Sequence, residues 1–444
     1  MIHFIIILIK KINNMAKKPQ SSFSKLSDML DKIAPDGAII DDNPIAQIDE
    51  WISTGSYILN AALSGSLFGG LPNRRSLVLA GEEGSGKTYI ALSICRNALA
   101  MGYEIIYFDS EGSIDKDFVN RLGVDTSRVR LQPVNTIEEF NHIAAQITKS
   151  YQDMTENKEE LPKIMVVLDS LGNLSSAKEV DDSTSGSNKR DMTKQQAIRK
   201  LFRVNGMQFA KYGIPFIVNN HVYEAIGSYF PTKVISGGGG VKYNASIIFE
   251  LSKKKLEDKE SEAKNKERNI DAVRVGVTIV VKPVKQRFAR PIKVELHIPF
   301  YKKPNPFVGL EKFVSWEACG VMRGKALTEK QYNKLTETEQ SKCKSFQTSD
   351  SKTLYAFPKE TARTLVVRHC DGEIPLSSLF SEKVFTQDVL RELDEKIIKP
   401  AFMLPSIESL EDLDELTDEI AKDGEILSVN TDLPGSPKSP ELTD

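Results

Sequence analysis

One octapeptide constrains this chain more than any other feature. Gly81-Glu82-Glu83-Gly84-Ser85-Gly86-Lys87-Thr88 is a complete GxxxxGK[ST] loop. It follows the apolar run SLVLA (76–80), which reads as a strand, and leads into a segment that reads as a helix from Thr88. The spacing has a physical reason. Glycines let the backbone curl until successive N–H groups point into one concavity. The following helix adds the positive end of its dipole. Lys87 places a cation on the outer phosphates of a nucleotide, and the Thr88 hydroxyl is a ligand for Mg²⁺.

Strands and helices alternate from about 56 to 300, which predicts a mostly parallel sheet covered on both faces. EIIYF (104–108), KIMVVLD (163–169) and PFIVNN (215–220) read as strands. Helices are expected near 115–122, 136–151 and 192–212. After 245 the pattern changes to successive strands, at about 246–252, 272–282 and 292–298, an antiparallel extension. The charge-dense stretch 253–268 between the first two reads as a solvated hairpin tip. Asp169 ends an apolar strand downstream of the phosphate loop, where a parallel sheet delivers a carboxylate to hold Mg²⁺ through water. Glu111, just past the carboxyl end of the second strand, faces the crevice where ligands bind. It is a candidate general base for the water that attacks a γ-phosphate. The blander reading is an acid satisfying a helix dipole, and the pattern alone does not choose.

The 444 residues carry 59 Lys plus Arg and 61 Asp plus Glu, a net charge of -2. Residues 406–444 hold twelve acids and two Lys, a net of -10, which leaves +8 on the rest. A basic body with an acidic tail suits a binder of polyanions that screens its own site; a solvated tail is the simpler alternative. The four Cys are far apart and there are only five His. That argues against structural zinc and a disulfide framework. The run Ile2–Ile9 is too short to span a bilayer and no other segment could cross one, which places the protein inside the cell.

Residues 1–14 read as a disordered or upstream-start extension, since Met15 opens a more natural soluble sequence. Residues 15–55 are a helix and linker. SSFSKLSDMLDKIA (21–34) puts Phe23, Leu26, Met29, Leu30 and Ile33 on one helical face, which must dock on the chain's own core or on a neighbouring subunit. The core follows at 56–300. Pro299 to Pro306 punctuates a boundary to a smaller mixed α+β domain at 301–405, and 406–444 reads as an acidic, largely disordered tail.

The order of motifs resembles the RecA recombinase family, nearest the UvsX-type recombinases of large tailed phages. The resemblance covers about 20–300 and rests on GEEGSGKT (81–88), YFDSEGSID (107–115), VVLDS (166–170), VNNHV (218–222) and SGGGGVKYNAS (236–246). It implies a RecA-like ATPase core using ATP and Mg²⁺, clamped between adjacent subunits of a helical filament on DNA. Glu111 matches the catalytic glutamate. Asp115 and Phe118 match positions that contact the adenine ring. His221 stands where most relatives have Gln, which senses the γ-phosphate and signals to the DNA-binding loop; the phage branch has His there. Lys285 and Arg287, in KPVKQRF (282–288), match two cations that reach across the interface to the neighbour's phosphates. Alternate residues of one strand can point at one anion; the blander reading is a solvated strand edge.

The resemblance also implies two DNA-contacting loops. The first, about 175–194, carries Lys178, Lys189, Arg190 and Lys194. The second, about 222–240, carries Tyr223, Tyr229, Phe230 and Lys233, with Gly237, Gly238, Gly239 and Gly240 as flexible N–H donors. Cations neutralise phosphates, and aromatic rings stack on bases without reading sequence.

The function implied is a single-stranded-DNA-dependent ATPase that forms a filament and exchanges strands with a homologous duplex. A recombination mediator and a single-strand-binding protein are further expected partners, and the cytoplasm of a bacterial host is the setting if the chain is phage-encoded. Two alternatives are a hexameric ring helicase of the same fold and a mediator that binds ATP but exchanges nothing.

Overall fold

The computed structural model describes residues 22–34, 37–185, 193–224, 233–257, 274–299 and 304–405. The chain divides into a large unit, Met1–Met403, and a short one, Leu404–Asp444. All but two residues of the short unit, including the acidic tail, lie outside the described residues, as do residues 1–14.

The large unit is built on an eight-stranded sheet. In chain order, β1 (Trp51–Ile52) and β2 (Leu71–Pro72) form a small antiparallel pair. β3 (Ser76–Gly81), β4 (Glu104–Asp109), β5 (Val129–Pro133), β6 (Ile164–Asp169) and β7 (Phe216–Asn220) are parallel strands of the main sheet. β8 (Val222–Glu224) and β9 (Lys233–Ile235) pair as a hairpin. β10 (Ile247–Glu257), β11 (Arg274–Lys285) and β12 (Val294–Pro299) complete the sheet, whose order is β12-β11-β10-β3-β7-β6-β4-β5. β10 is parallel to β3, while β11 and β12 run antiparallel. The predicted α/β architecture with an antiparallel extension is what the chain forms.

The central strands read as unbroken apolar runs because both faces are covered. On one face Leu77, Leu79, Tyr107, Met165, Val167 and Ile217 pack with Ile90, Ile94 and Cys95 of the helix Lys87–Ala100. On the other, Val78, Phe108, Val166, Leu168 and Val218 meet Phe140 of the helix Ile137–Glu156 and Ile198, Leu201 and Phe209 of the segment 193–211. That segment is one continuous helical run with a π turn at Leu201–Asn205. Thr136 caps the helix Ile137–Glu156 by accepting from Glu139 N at 3.1 Å, while the Glu139 carboxylate accepts from Asn135 N at 3.0 Å. The two bonds fix the helix start.

The chain departs from its expected local structure at four points. β5 was not anticipated, because an edge strand with exposed positions has no apolar run. β10 continues to Glu257, so 253–257 is strand and not hairpin tip. The first expected DNA loop holds a helix, Ala177–Ser185, and the glycine run of the second is helical too, as described below.

β13 (Val321–Thr328), β14 (Lys344–Gln347), β15 (Thr353–Pro358), β16 (Thr364–Val367) and β17 (Gly372–Pro375) form an antiparallel sheet in the order β14-β15-β13-β16-β17. Val321, Leu365, Val367, Leu390, Leu393 and Phe402 join the first apolar cluster of the main sheet. The helix Ser22–Ile33 leaves Phe23, Leu26, Met29, Leu30 and Ile33 exposed. Among the described residues no helix is long and apolar enough to cross a membrane.

Candidate functional site

The carboxyl ends of β3, β4, β6 and β7 converge on one edge of the sheet, and the loops leaving them carry most of the expected chemistry. After β3 the phosphate loop turns through Gly84 (φ 66) and Gly86 (φ 89), and the helix starts at Lys87. A Cβ on Gly86 would lie 2.0 Å from Ile279 Cδ1, so only glycine permits both the left-handed turn and this packing. Lys87 is buried and its Nζ donates to the carbonyls of Gly81 and Glu82, each at 3.0 Å. Burial lowers its pKa, opposed by the charges of Glu111 and Asp169. Lys253 of β10, not anticipated from sequence, donates to the Glu83 carbonyl at 2.9 Å and braces the loop.

Asp169, buried at the end of β6, accepts through Oδ2 from Tyr107 Oη at 2.6 Å and from Thr88 Oγ1 at 2.8 Å. Burial raises its pKa, and the bonds from Tyr107 and Thr88 oppose that rise. Burial and the facing Asp169 push the Tyr107 phenol far up, so it stays a donor.

Beside this pair lies a second cluster. Asp109 Oδ1 accepts from the N–H groups of Glu111 and Gly112, each at 2.9 Å, which fixes the turn after β4. Glu111 Oε1 accepts from Ser170 Oγ at 2.6 Å and lies 2.9 Å from His221 Nε2. Ser170 Oγ is also 3.0 Å from His221 Nε2. Ser110 Oγ accepts from Ser170 N at 2.8 Å and donates to Ser170 O at 2.7 Å. The ring of His221 fits because residue 172 is glycine: a Cβ there would come within 2.6 Å of Cδ2. Asn220 Oδ1 accepts from His221 N at 2.9 Å, and its Nδ2 donates to Ser236 O at 2.8 Å. The cluster is thus tied to the strand returning from the second expected DNA loop.

The residues fit a nucleotide and a divalent cation. Ser85 Oγ is buried in the phosphate loop with no hydrogen-bond partner among the described residues. No cluster of three His, Cys, Asp or Glu is poised for a metal among them. An ion here would have Thr88 and Asp169 plus oxygens of a phosphate ligand and water, the donor set Mg²⁺ favours.

Other expected residues lie elsewhere. Asp115 caps the helix Lys116–Arg121, accepting from the N–H groups of Asp117 and Phe118, each at 3.1 Å. Phe118 is half-buried against the main core. Lys178 is exposed, and Lys194 pairs with Glu179 at 3.4 Å. Tyr223 is exposed on β8 and Lys233 begins β9. Lys189, Arg190, Tyr229 and Phe230 lie outside the described residues. Gly237 (φ 80) is the N-cap of a helix Gly238–Asn244, so Gly238, Gly239 and Gly240 form a first helical turn instead of a flexible loop. A Cβ on Gly240 would lie 2.8 Å from Arg199 Cγ, so close helix packing explains that glycine.

Lys285 and Arg287 are not near the phosphate loop of their own chain. Lys285 is opposite Ile248, at the starting end of β10, whereas the loop begins at Gly81, opposite Leu251. β11 ends at Lys285, so Arg287 lies just beyond the strand. Lys285 Nζ donates to the carbonyls of Lys242 and Tyr243, each at 2.9 Å, at the last turn of the helix Gly238–Asn244. Burial, then the nearby Arg287 charge, lowers its pKa.

Sequence reasoning assigned no role to Ser170, although it stands in the VVLDS run. A serine beside a strand-end carboxylate has no periodic signal; only the juxtaposition of three loops reveals it.

The RecA N-terminal domain family matches residues 25–302. The recombination and repair protein of Enterobacteria phage T4 is 32% identical over 209 residues, 47% of this chain and 51% of its own length. Protein RecA of Bifidobacterium breve is 31% identical over 257 residues, 57% of this chain and 58% of its own. Protein RecA of Thermus thermophilus is 28% identical over 332 residues, 71% of this chain and 86% of its own. The chain spans little more than half the length of the first two of these relatives.

Proposed function

The chain belongs to the family defined by the RecA N-terminal domain, and on that premise we propose that it is an ATP-dependent DNA recombinase. In this reading it is a single-stranded-DNA-dependent ATPase that assembles as a helical filament, pairs the bound strand with a homologous duplex and exchanges strands. The observation that carries the proposal is the division of cations. Lys87 lies with Glu111 and Asp169 at one end of the sheet, while Lys285 and Arg287 lie at the other. A second copy, stacked head to tail, can bring the two ends together.

Lys87 exchanges the Gly81 and Glu82 carbonyls for the outer phosphates of ATP. Thr88 and Asp169 would hold Mg²⁺, which supplies neutralising charge at the phosphate oxygens. Glu111 orients the attacking water and accepts its proton, with its carboxylate held by Ser170 and His221. The neighbour's Lys285 and Arg287 stabilise charge developing at the leaving phosphates. Asp115 and Phe118 border the adenine. His221, through Asn220 and Ser236, links γ-phosphate occupancy to the second DNA segment. The segments around Lys178, Lys189, Arg190 and Lys194, and around Tyr223, Tyr229, Phe230, Lys233 and Gly237–Gly240, contact the strand. The acidic tail competes with DNA for the basic body or recruits a mediator or a single-strand-binding protein.

Electron microscopy of the chain with single-stranded DNA and a non-hydrolysable ATP analogue tests the reading. Helical filaments are expected; closed rings would turn it into a helicase, and unassembled monomers would refute it.

A further inference from the structure

Asn219 is a polar residue in a place that ordinarily belongs to Val or Ile. It sits one position before the end of a central parallel strand, β7, and is wholly buried. Neither Oδ1 nor Nδ2 of its carboxamide has a hydrogen-bond partner among the described residues. Native interiors rarely tolerate an unmade donor and acceptor together, so such a group calls for an explanation.

Its position supplies one. Leu79 of β3 is its registered neighbour on one side. On the other side β6 pairs Leu168 with Val218, which brings Asp169 alongside Asn219. Alternate residues of a strand share a face, and Ile217 and Val167 lie together in the cluster under the helix that follows the phosphate loop. Asn219 and Asp169 continue that face to the edge of the sheet. The buried carboxamide therefore lies beside the buried Asp169 carboxylate at the end of the two strands. It nevertheless makes no bond of ordinary geometry with it. Thr88 and Tyr107 both already donate to Asp169 Oδ2.

We propose that Asn219 is a positioning residue for a divalent cation: its amide N–H orients the Asp169 carboxylate, and its carbonyl oxygen accepts from water bound to the ion held by Asp169 and Thr88. The inference rests on the nucleotide-binding reading above and deepens it. The sequence motifs give Asn219 no role, and a purely structural role leaves both polar atoms unexplained. Outer-sphere partners of this kind fix the ligand's orientation, and their removal typically weakens metal binding about 10–100-fold.

The test uses the full-length chain with a non-hydrolysable ATP analogue and Mn²⁺ as the probe, its binding followed by electron paramagnetic resonance. Asn219→Leu and Asn219→Val both remove the polar atoms and keep an apolar strand residue, so thermal stability should hold or rise. Mn²⁺ affinity should fall about ten-fold or more in both, while affinity for the analogue in EDTA stays that of the parent. Folded variants that bind Mn²⁺ as the parent does overturn the inference and leave the nucleotide site standing. A parent chain that binds neither analogue nor Mn²⁺ overturns the functional reading itself, and this inference with it.

Discussion

Ser170 stands between Glu111 and His221, and the three side chains form a closed set of short contacts at 2.6, 3.0 and 2.9 Å. Each role predicts a different kinetic signature. Glu111→Gln should retain ATP and DNA binding and lose turnover by about 10²–10⁴-fold, the usual contribution of a general base; steady-state hydrolysis beside a filter-binding assay checks it. Ser170→Ala removes one bond to a charged group, of about 1.5–3 kcal/mol, and should slow turnover by ten-fold or more with KM for ATP little changed. Lys87→Ala deletes the cation that faces the phosphates. Nucleotide affinity should drop about ten- to hundred-fold on the same scale, and nucleotide-stabilised DNA binding should go with it. Unchanged binding in a fluorescence titration would refute the assignment.

At the scale of elements, the site is held by contacts far from it. Arg74 links the β2–β3 connection to the segment before β1: its Nε and Nη2 donate to Asp49 Oδ2 at 2.9 and 2.7 Å, and its Nη1 donates to the carbonyls of Ala210 and Lys211. The Arg74 bonds hold the Asp49 carboxyl below its usual value of 3.8, with burial opposing. A depressed carboxyl adds stability above its unfolded pKa and loses it as pH falls through the folded one. Arg74→Ala should therefore be less stable than the parent at neutral pH, with the gap narrowing below about pH 3.8. Chemical unfolding across pH reads this directly; a gap that stays constant into acid would mean that the guanidinium acts through Ala210 and Lys211 alone. The helix Gly238–Asn244 shows the same dependence. Its last carbonyls are taken by Lys285, so the cation expected to face a neighbour's phosphates is also tied to the helix after the second DNA segment.

For the whole molecule the prediction is shared chemistry. Subunits carrying Lys87→Ala lack a working phosphate loop but keep Lys285 and Arg287. Subunits carrying Lys285→Ala with Arg287→Ala have the opposite defect. Each alone should be nearly inactive, since a cation supplied in trans is worth about 10³–10⁵ in rate. Mixed, they should recover part of the parent's ATPase, because some interfaces combine the intact halves; no recovery at any ratio would place the whole site in one chain. The exposed apolar face of Ser22–Ile33 is the surface expected to dock on the neighbour. Deleting residues 406–444 removes a net charge of -10. Duplex DNA binding should tighten at low salt and the effect should fade as salt screens it, as anisotropy titrations can follow.

The phosphate loop, the parallel apolar strands, the carboxylate at the end of β6 and the family were all legible in the amino-acid sequence. These are local: a fixed glycine spacing, a buried run and a strand-end acid need no distant partner to be recognised. Glu111 was a candidate from its place just past the end of β4 and His221 through the resemblance, and the fold sets their side chains 2.9 Å apart. The tertiary structure added that Ser170 joins Glu111 to His221, that Gly172 makes room for the imidazole and that Asn219 is buried beside Asp169 with no hydrogen-bond partner among the described residues. It also decided that the glycines at 238–240 are helical and that Gly240 packs on Arg199. Each depends on which strand ends become neighbours, and the order β10-β3-β7-β6-β4 brings together residues 81, 109, 169 and 220, whose separations along the chain carry no signal. For the same reason the two cations beyond β11 could be recognised as a pair in the sequence, while their distance from their own phosphate loop emerged only when the strand register was known.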